Sequence, residues 1–153
     1  MEPFDSYDYL KKIIKECGIN DIRRCSGIMN LEEILSSPGN IKPPVLVVED
    51  NDTGFLSLNE GNFDSGYHNI YILTPTRANN ANEAHDTRKK CKKLMAKLFL
   101  KMNEDRYLWE DCGTGFDSSR IDYAKIGPIA QSFYGYSAGF QMNIDFNYED
   151  DGE

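Results

Sequence analysis

The segment from Glu49 to Glu60 comes closest, in residue types and spacing, to a metal-ligating loop. Counted from Glu49, oxygen-bearing side chains occupy the first, third and fifth positions, a glycine the sixth and a glutamate the twelfth, as in a calcium-binding helix–loop–helix site. That site begins with aspartate and is flanked by helices, whereas strands are predicted on both sides of this segment. Asn, Asp and Gly in such a cluster are typical of a hairpin turn. We therefore predict a turn, with no metal and no other cofactor.

Cysteine, histidine and serine chemistry has little support in the sequence. The cysteines and histidines form no CxxC pair and show no zinc-ligand spacing. They are Cys17, Cys25, Cys91, Cys112, His68 and His85. No GxSxG nucleophile elbow occurs, and Cys112-Gly113-Thr114-Gly115 lacks the lysine of a phosphate-binding loop. We interpret the cysteines as reduced structural thiols, and we expect no catalytic residues, so the protein is predicted not to be an enzyme.

Basic residues are concentrated in one predicted helix. Seven of the seventeen lysines and arginines fall within fourteen positions. They are Arg88, Lys89, Lys90, Lys92, Lys93, Lys97 and Lys101. One interpretation is a cationic patch that meets an acidic partner or a phosphate backbone. The other is a solvated helix face whose lysine stems cover apolar surface. Arg88, Lys89, Lys93 and Lys97 are the candidate interface residues of this cluster.

Length and composition restrict the classes of protein that remain. The 153 residues fit a single domain, 1–153, in which 149–153 form an acidic tail. A net charge of −8 argues against general nucleic-acid binding, which needs a cationic footprint. The sequence shows neither a signal peptide nor an apolar stretch long enough to span a bilayer. We therefore expect no membrane contact and synthesis without export.

The elements that must position these residues include one long alternating strand, from Tyr136 to Tyr148. Apolar and polar residues alternate through its thirteen positions, which predicts a strand with one apolar face. At about 3.3 Å per residue it would extend roughly 43 Å, more than a domain of this size covers easily. We therefore expect its outer portion, with Tyr136, Phe146 and Tyr148, to contact a neighbouring subunit.

The order of the other predicted elements indicates an α+β fold. We predict an antiparallel or mixed sheet with one long helix packed on one face and a shorter N-terminal helix. The predicted elements are a helix over Ser6–Cys17, a strand over Ile19–Cys25, a helix capped by Asn30, strands over Val45–Glu49, Phe55–Leu58 and Tyr67–Thr74, a helix over Ala81–Asn103 and a strand over Ile121–Ile126. Irregular chain is predicted over Gly61–Gly66 and Tyr107–Ser119.

The layout as a whole resembles the tail-terminator or tail-completion proteins of tailed bacteriophages. The resemblance lies in the N-terminal helix, the strand Pro43 to Glu49, the strand Tyr71 to Thr74 leading into the long helix, and the closing strand pair with Phe140 to Phe146. It implies a structural virion protein, one of six copies in a ring of the head–tail connector. The implied partners are further copies and the neck and tail-tube proteins, with DNA only as passing cargo. The family has no catalytic residues, and the implied location is the virion, after synthesis in the host cytoplasm.

A second hypothesis uses the basic helix instead of the long strand. The chain would then be a cytosolic, non-enzymatic adaptor that binds an acidic partner through Lys89, Lys93 and Lys97. Opposite charges on facing surfaces set the orientation of a complex, so either hypothesis assigns a role to the lysines. The long two-faced strand favours assembly.

Overall fold

A seven-stranded mixed sheet with three α-helices makes up the part of the chain that the computed structural model describes, residues 5–49, 53–58, 61–77, 80–110 and 114–145. The α+β prediction is confirmed. The elements are α1 (Ser6–Ile13), β1 (Asp21–Cys25), α2 (Gly27–Ser36), β2 (Val45–Glu49), β3 (Thr53–Ser57), β4 (Phe63–Pro75), α3 (Ala81–Glu110), β5 (Thr114–Phe116), β6 (Asp122–Ile129) and β7 (Phe133–Asp145). None of these helices combines the length and the apolar character needed to cross a membrane.

Two strands of thirteen residues, β4 and β7, form the centre of the sheet. They pair antiparallel along their whole length, from Phe63 opposite Asp145 to Pro75 opposite Phe133. β2 and then β3 pair with the other edge of β4, and β6 and β5 pair with the other edge of β7. β1 runs parallel to β2 at the margin, which makes the sheet mixed. The long strand therefore finds its backbone partners within its own chain.

β7 begins three residues earlier than predicted, at Phe133, and it reaches Asp145, the last residue of this segment that the structure describes. β6 ends at Ile129, because Ala130 and Gln131 adopt positive φ angles of 50° and 73° and turn the chain back on itself. Phe133 can therefore pair at once with Ile129 and Pro75. Phe146 and Tyr148 lie outside the described residues, as does the acidic tail.

The predicted alternation along β7 is confirmed, and it separates the two faces of the sheet. Ala138, Phe140 and Met142 are buried in a core with α1 and α3. Gln141 and Asn143 point to the opposite face. A second, smaller core lies on that opposite face, where Leu31 and Leu35 of α2 pack on β2 and β4.

Other predicted boundaries are wrong as well, among them the end of α1, which lies at Ile13 rather than Cys17. α3 continues to Glu110, because Trp109 is held between Tyr9 and Phe116, with ring centroids 4.6 and 6.1 Å away. α2 begins at Gly27, and Asn30 lies inside it, where its side chain accepts a hydrogen bond from Ser26 N at 2.8 Å. The segment 63–66, predicted as loop, belongs to β4 because it pairs with β3 and β7 on both sides.

Candidate interaction surface

One corner of the sheet carries a two-stranded extension, formed by β3 and the first part of β4. Thr53 to Ser57 pair antiparallel with Tyr67 to Phe63, and we call this pair of segments the arm. Among the described strands β3 has β4 as its sole neighbour, so its outer edge is not covered by another strand. Such an edge is a template on which another chain can pair.

The arm exposes large apolar side chains on both of its faces. Phe55 is 56% exposed and Leu56 57%, and Leu58, just after the end of β3, is 64% exposed. Successive side chains of a strand point to opposite faces of the sheet. An element packed on one face of the arm could therefore cover Phe55 or Leu56, but not both. Edge strands that are protected against pairing with other chains usually bear charged residues or proline, or are very short. Burying each of these side chains would stabilise a complex by about 1.5–3 kcal/mol before the costs of association.

A concave site lies on the face of the arm that carries Leu56. Gly54 and Gly66 are direct partners in the β3–β4 pair and leave a bare floor. Leu56, Asp64, His68 and Ile144 surround that floor and enclose about 340 Å³; we call this site the hollow. A Cβ at Gly54 would lie 2.9 Å from the Gly66 Cα, whereas a Cβ at Gly66 would meet nothing nearer than His68 Nε2 at 3.5 Å. The close approach of the two backbones therefore requires glycine on β3.

His68 and Asp64 give the hollow its polar character. The His68 ring stacks on Phe140, with centroids 5.3 Å apart. Burial lowers the pKa of His68, and the nearby carboxylates of Asp64 and Asp5 oppose that effect. Asp64 is exposed at the rim, and it has no ion pair among the residues that the structure describes. The hollow thus joins apolar walls to an accessible negative charge.

The basic residues of α3 fall into two groups. Lys89, Lys93 and Lys97 are exposed at a spacing of four, so they form a line along the helix, which we call the lysine row. Within the described ranges none of the three makes an ion pair. These are three of the four predicted interface positions on the helix.

Three of the other basic side chains of α3 contact their own chain, whereas Lys90 is exposed and has no described ion pair. Arg88 donates a hydrogen bond to Gly127 O at 3.1 Å and lies over the Tyr134 ring. The Lys92 Nζ donates to Tyr123 Oη at 2.8 Å, and this hydrogen bond raises the pKa of Lys92. Lys101 lies 3.4 Å from Asp105 and 3.7 Å from Glu16. Arg88, predicted at the interface, thus has an internal structural role.

Tyr136 lies under α3 rather than at an outer edge. It is half-buried against the core, and its ring centroid lies 5.6 Å from that of Tyr123. Phe146 and Tyr148, which were predicted to accompany it, fall outside the described residues. Exposed apolar side chains lie on the arm, which sequence reasoning assigned to a strand but not to a site, and also on α2 and on α3, at Leu100, Tyr107 and Leu108. The available signal was the adjacent pair Phe55-Leu56, which places apolar groups on both faces of a short strand between turn clusters.

Glu49, the first residue of the calcium-like segment Glu49 to Glu60, makes hydrogen bonds within the sheet. The Glu49 carboxylate accepts hydrogen bonds from Asn69 Nδ2 at 3.2 Å and Tyr71 Oη at 3.4 Å. Burial, together with Glu49, raises the pKa of Tyr71 to about 12. Asp50, Asn51, Asp52 and Glu60 are outside the described residues. In the part of the chain that is described, no three His, Cys, Asp or Glu side chains form a group that could hold a metal ion.

The arm and the start of the lysine row lie at opposite ends of β7. Lys92, next to Lys93, is 5.8 Å from the Tyr136 ring, whereas Ile144 borders the hollow. Eight residues separate Tyr136 from Ile144, which is about 26 Å at 3.3 Å per residue. One molecule therefore presents an apolar surface with a carboxylate at one end and unpaired cations toward the other.

Comparison with known proteins assigns no family, because no protein-family model matches the chain and no curated protein matches its sequence.

Proposed function

We propose that this chain is a structural subunit that assembles with copies of itself into a ring, of the kind found as tail terminator or neck ring where a phage capsid connector meets the tail. The observation that carries the proposal is the arm, with Phe55 and Leu56 exposed on opposite faces of an edge that no other described strand covers, and with exposed Leu58 just beyond β3. A partner that grips both faces of an edge strand buries more apolar surface than one that lies against a single face.

A ring of identical copies is favoured because the complementary surfaces are different patches of the same chain. The arm lies at one end of β7, and the lysine row begins at the other. A contact between unlike patches is heterologous, and it generates a closed ring when the rotation between neighbours closes. A net charge of −8 also suits a ring through which DNA passes, because a negative lining repels phosphates.

The experiment compares the association of the wild type with that of an arm variant and a matched control. The arm variant carries Phe55→Ser, Leu56→Ser and Leu58→Ser, and the control carries Ile28→Ser and Met29→Ser, which remove exposed apolar groups from α2. Sedimentation velocity should show an oligomer for the wild type and the control, and a folded monomer for the arm variant. A monomeric wild type, or an arm variant that associates as the wild type does, would contradict the proposal.

A second candidate function is the non-enzymatic adaptor that binds an acidic partner. The observation in its favour is the lysine row, three exposed cations without ion pairs among the described residues. Poly-glutamate serves as the acidic probe. If Lys89→Glu, Lys93→Glu and Lys97→Glu together abolish its binding while the wild type itself stays monomeric, the adaptor function replaces the ring.

A further inference from the structure

We infer that the hollow on the arm receives a lysine side chain from the lysine row of a neighbouring copy, so that Asp64 of one subunit pairs with the row of the next. This inference rests on the proposed function, because it specifies which surfaces of two copies meet. It also assigns a role to the hollow and to the row that neither has within one subunit.

The shape and chemistry of the hollow fit a lysine side chain. Its floor is bare because Gly54 and Gly66 face each other, so a linear side chain can lie across the strands. Leu56 and Ile144 supply apolar walls for a hydrocarbon stem. Asp64 at the rim supplies the carboxylate that an ammonium group pairs with.

Among the described residues no row lysine pairs with Asp64. Along β7 the row begins roughly 26 Å from Ile144, the direct partner of Asp64, so Lys89 and Lys93 can reach this carboxylate only in another copy. The row has three exposed members one helical turn apart, at positions 89, 93 and 97. Lys92 and Lys101 are held by Tyr123, Asp105 and Glu16 of their own chain. The row therefore offers three exposed cations of α3 that have no described ion pair, and Lys90 next to Lys89 is a fourth.

A charge exchange tests the contact directly. Asp64→Lys, and separately the row variant Lys89→Glu, Lys93→Glu and Lys97→Glu, should each weaken self-association at least tenfold by sedimentation equilibrium. Combining the two sets in one chain should restore association to within about threefold of the wild type, because each contact regains opposite charges. The control reverses Lys11, Lys12 and Lys15, which are exposed on and after α1 and change the net charge by the same amount.

Blocking the hollow gives an independent test that changes no charge. Gly66→Val should weaken association while leaving the fold intact, because a Cβ at this position meets only His68 Nε2 at 3.5 Å. Gly115→Val, in another strand of the sheet, is the control, since its Cβ would meet Asn143 at 3.8 Å. Carbodiimide coupling of mixed ¹⁴N- and ¹⁵N-labelled protein should join Asp64 to a row lysine between copies.

The outcomes separate this inference from the proposed function. If the serine variant of the arm dissociates the oligomer but Asp64→Lys and Gly66→Val associate normally, the inference is overturned and the ring proposal stands. A combined charge exchange that associates no better than the single sets also overturns it. If the wild type is monomeric, both the inference and the proposed function are contradicted.

Discussion

Gly54 and Gly66 are direct partners across the β3–β4 pair, and together they leave the only part of the described arm where neither strand carries a side chain. The two positions are not equivalent. A Cβ on Gly54 would lie 2.9 Å from the Gly66 Cα, closer than Cβ atoms normally approach, whereas a Cβ on Gly66 would lie 3.5 Å from His68. A side chain is thus excluded at Gly54 on β3 by a close backbone contact, whereas at Gly66 on β4 there is open space for one.

That asymmetry predicts opposite effects of alanine at the two glycines. Gly54→Ala should lower the free energy of unfolding by about 1–3 kcal/mol, because backbone atoms must move. Gly66→Ala should leave it unchanged or raise it by roughly 0.5 kcal/mol, since alanine restricts the unfolded chain and meets no obstacle. Urea denaturation followed by circular dichroism measures both. Equal losses at the two sites would contradict the described geometry.

Gly135 is the position in the sheet centre where a side chain has the least room. A Cβ there would lie 2.9 Å from the Ile72 carbonyl carbon and 3.1 Å from the Leu73 Cα, and neither backbone atom can turn away. Gly135→Ala should therefore cost about 2–3 kcal/mol of unfolding free energy, since it forces β4 and β7 apart. Gly115→Ala, whose nearest neighbour is 3.8 Å away, should cost less than about 1 kcal/mol. Urea midpoints for the two variants decide the matter.

The turn before β7 can be improved. Ala130 and Gln131 have φ angles of 50° and 73°, a conformation that asparagine and glycine adopt with less strain. The double substitution Ala130→Asn and Gln131→Gly should raise the free energy of unfolding by about 1 kcal/mol. A lower melting temperature would show that this turn has another conformation in solution.

His68 makes the stability of the fold depend on pH. Burial lowers the pKa of His68 below the ordinary value of 6.5, so the unfolded chain binds more protons than the folded one as the pH falls through 6.5. The free energy of unfolding should therefore decrease as the pH is lowered from 7.5 to 5.5. His68→Gln should reduce this slope, while His85→Gln, at an exposed site on α3, should retain it. Urea titrations at the two pH values measure the slopes, and an unchanged slope in His68→Gln would contradict this explanation.

The sequence predicted the regular elements well where one periodicity ran without interruption. Alternation through Ala138, Phe140 and Met142 identified β7 and its buried face, and the helical spacing of Cys91, Met95 and Leu98 identified α3. The boundaries failed where distant contacts decide them. α3 continues because Trp109 packs on Tyr9 and Phe116, residues distant in sequence that no local pattern connects to it.

The candidate site was predicted only in part, for the same reason. Lys89, Lys93 and Lys97 were identified from composition and are exposed as expected. Arg88 is held internally by a hydrogen bond to Gly127, and Tyr136 is half-buried beside Tyr123. Both contacts join residues that only the tertiary fold brings together. The arm was not identified because its exposure depends on the order of strands in the sheet, which leaves the outer edge of β3 without a described neighbour. Sheet order, unlike strand identity, is not encoded in a local pattern.

The mass of the wild-type particle tests the central claim most directly. Light scattering coupled to size-exclusion chromatography, with negative-stain imaging of the same fractions, should give a closed ring whose mass is a whole multiple of the 17.5 kDa subunit. The serine variant of the arm should elute as a folded 17.5 kDa monomer under the same conditions. A wild-type protein that stays at 17.5 kDa at high concentration, with no rings on the grid, would contradict the account.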